Sequence, residues 1–360
     1  MNSLERWHID RPLLYALLLM SAISVVVLYS ASAENMPTLI RHVIRLVFGF
    51  AILFAIAQIR PETLARWTPW LYGAGLVLLV AVLVAGTTAK GAQRWLSVGF
   101  TTFQPAEIMK LAMPMMLAWF FSRYPIPPRL RIISLGGVIT VVPVLLIAKQ
   151  PDLGTALLIL GSSVTVLFLA GISWRVIGAV FGLAALAVPV LWSHMHDYQR
   201  QRIMTLLDPS SDPLGTGYHT IQSMIAVGSG GFFGKGWLNS SQAHLDYLPE
   251  SSTDFIFAVF AEEFGLIGIL LLLGTYLFIV VRGLQIAFYA QETYNRLLAG
   301  GLTLIFFFYF FVNIGMVTGI LPVVGVPLPL ISYGGTATVT LMAAFGMLMS
   351  IHTHRKLVGH

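Results

Sequence analysis

The sequence predicts an all-α polytopic membrane protein, with about ten transmembrane helices and one large extracytoplasmic loop. Three observations predict it. The chain is 57% hydrophobic and 10% charged over 360 residues, with mean hydropathy +0.82, where a soluble globule carries about 25% charge. Apolar runs long enough to cross a bilayer, roughly 20 residues each, recur along it. One long polar stretch, 193–253, interrupts them.

The first run, Pro12 to Ala31, follows Arg6 and Arg11. It lacks a convincing cleavage site and many more apolar runs follow, so it reads as a span rather than a signal peptide. Further spans are expected over 40–58, 68–86, 105–121, 131–148, 153–170, 174–192, 254–281, 296–318 and 332–351. Only Lys149-Gln150-Pro151-Asp152 separates the fifth from the sixth, and Pro143 and Pro151 flank the break. That pair is therefore either two spans or one broken, half-buried element. The chain divides into seven N-terminal spans (1–192), the loop (193–253), and three C-terminal spans with a short tail (254–360).

Basic residues orient the spans. With the N-terminus inside, inner segments hold Arg6, Arg11, Arg60, Arg66, Arg123, Arg129, Arg131, Arg175, Arg282, Arg296, Arg355 and Lys356, against Glu5, Asp10, Glu62 and Glu292. An even number of spans puts both termini in the cytoplasm and the 193–253 loop outside. The basic residues sit at helix ends, so the pI near 9.6 is a matter of membrane orientation and does not point to nucleic acid. Cysteine is absent, which excludes disulfides, thiolate chemistry and thiolate-bound zinc.

Charges that fall in or beside spans are the candidate functional residues, because ionisable groups there are costly. Glu107 and Lys110, three apart, share a helix face and form either an internal ion pair or a site wall. Asp152 opens the sixth span as an N-cap or as a support to a site. Asp254 is the last polar residue before the eighth span, again a cap or a functional carboxylate. Glu262 and Glu263 lie about 12–14 Å deeper; a buried polar network and a proton path both account for them. Arg41 and Arg45 open the second span on the outer side, where they meet headgroups, an acid or a phosphate. The loop cations Arg200, Arg202 and Lys235, and Arg94 in the outer segment Thr87 to Gln104, add positive charge on the same face. Gly228-Ser229-Gly230-Gly231 with Lys235 lacks the Gly-Lys-Ser/Thr order of a nucleotide loop. His194 and His196 have no third ligand at helical spacing. Near the end, Pro322, Pro327 and Pro329 preclude a regular helix between the last two spans.

These residues fall in motifs that resemble the RodA/FtsW/SpoVE (SEDS) family of cell-shape, division and sporulation proteins, nearest its cell-elongation branch. The motifs are Lys90-Gly91-Ala92-Gln93-Arg94-Trp95, Phe103-Gln104-Pro105-Ala106-Glu107 and Gln150-Pro151-Asp152-Leu153-Gly154-Thr155. They continue in Asp208-Pro209, Ser229 to Gly236, Pro249 to Ala258, Ala261 to Gly265 and Gly325 to Gly335. The resemblance runs essentially end to end. It implies a peptidoglycan glycosyltransferase that polymerises lipid II into β-1,4 glycan strands at the outer face of the bacterial cytoplasmic membrane. The implied partners are a class B penicillin-binding protein, lipid II and the growing glycan strand. It carries the family's essential aspartate onto Asp254, its glutamate and lysine onto Glu107 and Lys110, and its outer arginine onto Arg41. No cofactor is certain; a divalent cation, Mg or Mn, is one candidate for the leaving diphosphate. A lipid II flippase and a non-catalytic scaffold for the penicillin-binding protein are the rival readings.

Overall fold

The computed structural model describes residues 7–89, 92–98, 101–176, 178–179, 182, 186, 189, 192–193, 197–209, 216–245, 247–248 and 250–355. Helices dominate: α1 (Arg11–Ala31), α2 (Met36–Ala57), α3 (Pro61–Ala85), α4 (Pro105–Phe121), α5 (Leu130–Lys149) and α6 (Leu153–Leu169) in the first half. Then come α7 (Asp197–Leu207), α8 (Thr216–Ser229), the single turn α9 (Ser241–His244), α10 (Ile256–Phe288), α11 (Thr293–Val317) and α12 (Gly335–Thr353). Local chemistry sets the starts. Asp10 and Asn35 cap α1 and α2, and Pro12, Pro37, Pro61 and Pro105 fall in first turns, where a missing N–H costs nothing.

Seven helices are long and apolar enough to cross a membrane: α1, α2, α3, α5, α10, α11 and α12. The chain is thus a multi-pass membrane protein. α4 and α6 are shorter, at 17 residues each, and the span expected over 174–192 lies mostly outside the described residues. Observed ends lie within three residues of the expected ones except at the starts of α2 and α3 and at the end of α10, which runs to Phe288 rather than 281. α3 starts at Pro61 rather than at 68, because Glu62 and Arg66 occupy its first turns without interrupting it. The fifth and sixth spans are two helices, with Asp152 capping the second.

One finding corrects the all-α expectation, and a second adds helix to the loop. A three-stranded antiparallel sheet is formed by β1 (Thr87–Ala89), β2 (Ala92–Val98) and β3 (Thr101–Phe103), in sequential order. Its register pairs Thr87 with Trp95 and Leu96 with Phe103. Threonine, valine and aromatic residues favour strands, and strand pairing satisfies backbone groups that leave a helix. The polar stretch 193–253 is the second finding, since it carries α7, α8 and α9. α8 packs on α10 and α11, and Ser223 Oγ donates to Val317 O at 2.8 Å.

Packing is organised around α4, α11 and α12, the most enclosed helices, with α2, α3 and α5 outside them. Outer helices keep large apolar side chains exposed, among them Ile44, Val47, Leu145 and Leu271, as a lipid-facing surface requires. At the end of the bundle that carries both described termini, Asp10 accepts from Arg282 Nη2 at 2.5 Å and lies 3.2 Å from His352 Nε2. This cluster ties α1, α10 and α12 together.

α10 is broken at Gly265, whose φ of 62° and ψ of −163° are not helical. Residues 230–236 fill the break. Leu266 N and Ile267 N donate to Gly231 O and Phe232 O, while Lys235 N and Gly236 N donate to Glu262 O and Glu263 O. The loop therefore supplies partners that the interrupted helix lacks. A Cβ on Gly265 would stand 2.3 Å from Gly234 N. Gly265→Ala is expected to cost at least about 1–3 kcal/mol from its backbone conformation alone. The check is its apparent melting temperature in detergent, and an unchanged value would refute this account of the kink.

Candidate active site

Asp254 lies just before α10, half-buried; the N-cap position itself falls on Phe255. The backbone around Asp254 is held from the C-terminal third of the chain. Tyr333 N donates to Ser252 O at 2.9 Å, Ser332 Oγ to Thr253 O at 2.5 Å, and Asn313 Nδ2 to Asp254 O at 2.8 Å. Asn313 Nδ2 also donates to Val326 O at 2.7 Å, and Ser332 Oγ accepts from Leu328 N at 2.7 Å. The proline-broken segment after α11 is thus fastened to the stretch 252–254. Gly325 stands beside the carboxylate: a Cβ there would lie 3.4 Å from Asp254 Oδ2, an ordinary contact, and its φ is +74°. That positive φ is what favours glycine at this place.

Asp152 caps α6 and also makes contacts beyond that helix. It accepts from Thr155 N at 3.2 Å as the cap of α6. It also accepts from Gln104 Nε2 at 2.9 Å and pairs with Arg94 Nη1 at 3.7 Å. Arg94 additionally bonds Pro151 O. This knot joins β2 to the starts of α4 and α6. α6 in turn touches the proline-broken segment, because a Cβ on Gly154 would meet Val324 O at 2.7 Å.

Glu107 and Lys110 form an ion pair of 2.6 Å, and both are buried. Lys110 Nζ also lies 4.9 Å from the centroid of the Tyr309 ring. Glu107 Oε2 is buried without a hydrogen-bond partner. Tyr309 and Asn313 are one turn apart and share a face of α11. That helix therefore spaces the Lys110 pair from the Asp254 backbone.

Glu262 and Glu263 separate into two local networks. Glu262 accepts from Lys235 Nζ at 2.6 Å, Ser240 Oγ at 2.6 Å, Ser241 Oγ at 2.7 Å and Gln242 N at 3.3 Å. Glu263 accepts from Ser30 of α1. These contacts pin the loop after α8 and the C-terminal end of α1 to α10.

Among the arginines, Arg41 is exposed and bonds Pro37 O and Thr38 Oγ1 within its own turn. Arg45 stacks over Tyr333 at 4.5 Å. The structure therefore brings Arg45, rather than Arg41, onto the segment that holds Asp254. Arg200 bonds Trp192 O and Ser193 O. The side chain of Arg202, and both His194 and His196, lie outside the described residues. No group of three His, Cys, Asp or Glu side chains able to hold a metal converges among the described residues.

Sequence reasoning missed Asn313, Ser332 and Tyr309. The available signal was polarity in the wrong place: Asn313 stands alone in an apolar run, where a polar side chain marks a buried bond.

Comparison with known proteins gives the family. The model of the FtsW, RodA and SpoVE family, described as "Cell cycle protein", matches residues 10–357. The chain is 54% identical over 355 residues to the peptidoglycan glycosyltransferase MrdB of Escherichia coli (strain K12), covering 98% of this chain and 96% of that one. It is 30% identical to the peptidoglycan glycosyltransferase RodA of Treponema pallidum, covering 96% and 98%. Among solved structures it resembles a chain of a peptidoglycan synthase complex that coordinates polymerization and crosslinking. The TM-score is 0.85 at 31% identity, over 96% of this chain and 99% of that one. The rod shape determining protein RodA of Thermus thermophilus follows at 0.74 and 30%, over 96% and 98%. Matched along nearly its whole length, the chain belongs to the FtsW/RodA/SpoVE family of cell cycle proteins.

Proposed function

We propose that the chain is a peptidoglycan glycosyltransferase that polymerises lipid II into β-1,4 glycan strands. It acts at the outer face of the cytoplasmic membrane, beside a class B penicillin-binding protein. The observation that carries the reading is the 54% identity, over nearly the whole chain, to a protein with that activity. In the proposed topology α4, α6 and the 174–192 segment complete ten spans, and both termini are cytoplasmic. Residues 1–192 and 254–360 form the two membrane parts, with 193–253 on the outer side.

Lipid II carries its sugar on a diphosphate by an α linkage, and the polymer is β-linked. One inversion fits a single displacement. The acceptor's N-acetylglucosamine 4-hydroxyl attacks C1 of the donor's N-acetylmuramic acid, and undecaprenyl diphosphate leaves. Asp254 takes the hydroxyl proton as general base. Positive charge stabilises the leaving diphosphate. Arg41 suits that role, because its guanidinium is exposed and its bonds stay within its own turn. Arg200 and Arg202 are further candidates on the loop, whereas Lys235 is paired with Glu262. Arg94 and Lys110 are already engaged by Asp152 and Glu107 and support the site rather than meet the substrate. Among the described residues no three His, Cys, Asp or Glu side chains converge as a ligand set, and no step is assigned to Mg or Mn.

The test is polymerisation of lipid II by the purified protein with its cognate class B transpeptidase in detergent, with and without a divalent chelator. Glycan strands are the expected product, and the chelator arm reports on any ion brought by the diphosphate. No strands from a folded complex would replace this reading with the transporter one, to be followed by lipid II translocation in vesicles.

A further inference from the structure

Three consecutive carbonyls, those of Ser252, Thr253 and Asp254, accept from Tyr333 N, Ser332 Oγ and Asn313 Nδ2. These donors come from two elements that follow Asp254 by some sixty to eighty positions, α11 and the proline-broken segment. The first turn of α10 closes by Ala258 N on Phe255 O at 2.9 Å, and Asn313 serves the carbonyl of Asp254 just ahead of it. We propose that Asn313 and Ser332 are positioning residues, and that with the 325–333 backbone they form a cradle that aims the Asp254 carboxylate.

The chemistry of Asn313 supports this. It is fully buried in an apolar helix, and burying an amide is costly unless it is bonded. Both N–H groups of its amide are spent on two main-chain carbonyls, one on each side of the join. Its Oδ1, also buried, has no partner. A residue chosen for the stability of α11 alone would be apolar there. Two facing carbonyls admit only the donor end of the amide, so its orientation is set. The same amide grips Val326 O, next to the Gly325 backbone that stands against Asp254 Oδ2. A shift of the proline-broken segment is thereby transmitted to both the backbone and the carboxylate of Asp254. Misplacement of a reacting group by about 1 Å is enough to cost about 10²-fold in rate.

The inference rests on Asp254 acting as the base, so Asp254→Asn is measured in parallel. In the full complex, Asn313→Leu keeps the branched heavy-atom shape and removes both donors. The expected result is a fall in kcat of about 10²-fold, with KM for lipid II within about threefold, the mark of an interaction that matters in the transition state. Ser332→Ala is expected to lose about tenfold in kcat, and Ser332→Thr, which keeps the hydroxyl, to restore it. The cradle also has a readout independent of rate. Hydrogen exchange at the Tyr333 N–H should quicken in Asn313→Leu and Ser332→Ala, and stay slow in Asp254→Asn. Wild-type kcat in folded Asn313→Leu, or equal rates in Ser332→Ala and Ser332→Thr at a wild-type level, overturns the cradle. If Asn313→Leu does not fold, the Ser332 pair decides alone. Full activity in Asp254→Asn instead removes the base and leaves the exchange result to judge the cradle.

Discussion

Asp254→Asn is expected to abolish useful polymerisation, by about 10²–10⁴-fold, in a protein that folds and assembles as the wild type does. The substitution is nearly isosteric; it removes the negative charge and the proton-accepting ability and puts an amide donor where one oxygen stood. The backbone of Asp254 is bonded through its carbonyl to Asn313 and its neighbours through theirs to Ser332 and Tyr333, so none of these anchors depends on the carboxylate. The measurement is strand formation from lipid II, with melting temperature and co-purification of the transpeptidase as controls. A wild-type rate in folded Asp254→Asn would exclude it as the base.

Glu107→Ala is the second large effect. Lys110 is buried, 2.6 Å from Glu107 Oε1. Deleting the carboxylate leaves an ammonium uncompensated in the interior, which costs about 3–5 kcal/mol. Glu107→Gln keeps an acceptor for Lys110 and is expected to impair less in both stability and rate. A double replacement, Glu107→Leu with Lys110→Met, removes both charges and keeps the volume. It is expected to recover most of the stability. If it also recovers activity, the pair serves only the fold. The expected result is recovered stability with activity still lost. Equal, normal rates in Glu107→Ala and Glu107→Gln would contradict the whole account.

Several elements were legible because hydropathy reports directly on the medium a segment occupies. The apolar runs of α1, α5 and α6 appear within a residue or two of their expected bounds. Asp152 was legible as a cap because capping is a local interaction spanning three residues. β1 to β3 were not, since their pairing joins residues eight or fewer positions apart in a segment too short and mixed to show alternation. The kink at Gly265 was also hidden. Its glycine lies in an unbroken apolar run, and the partners that fill the break come from residues 230–236.

The sequence by itself determined the medium, the helical class, the family and the identity of the candidate carboxylate. Those follow from composition, from runs of one chemical character and from motifs that are contiguous in the chain. Only the tertiary structure decided which charges are already satisfied and which groups hold the Asp254 stretch. Arg94 and Lys235 read as outer-face cations with no named partner in one dimension, and each meets an acid in three; of the two readings of Glu107 and Lys110, the structure shows the ion pair formed. Asn313 and Ser332 meet the Asp254 stretch across 59 and 79 positions of chain. A hydrogen bond acts over about 3 Å in space, so contacts at that sequence separation exist only once the helices have packed.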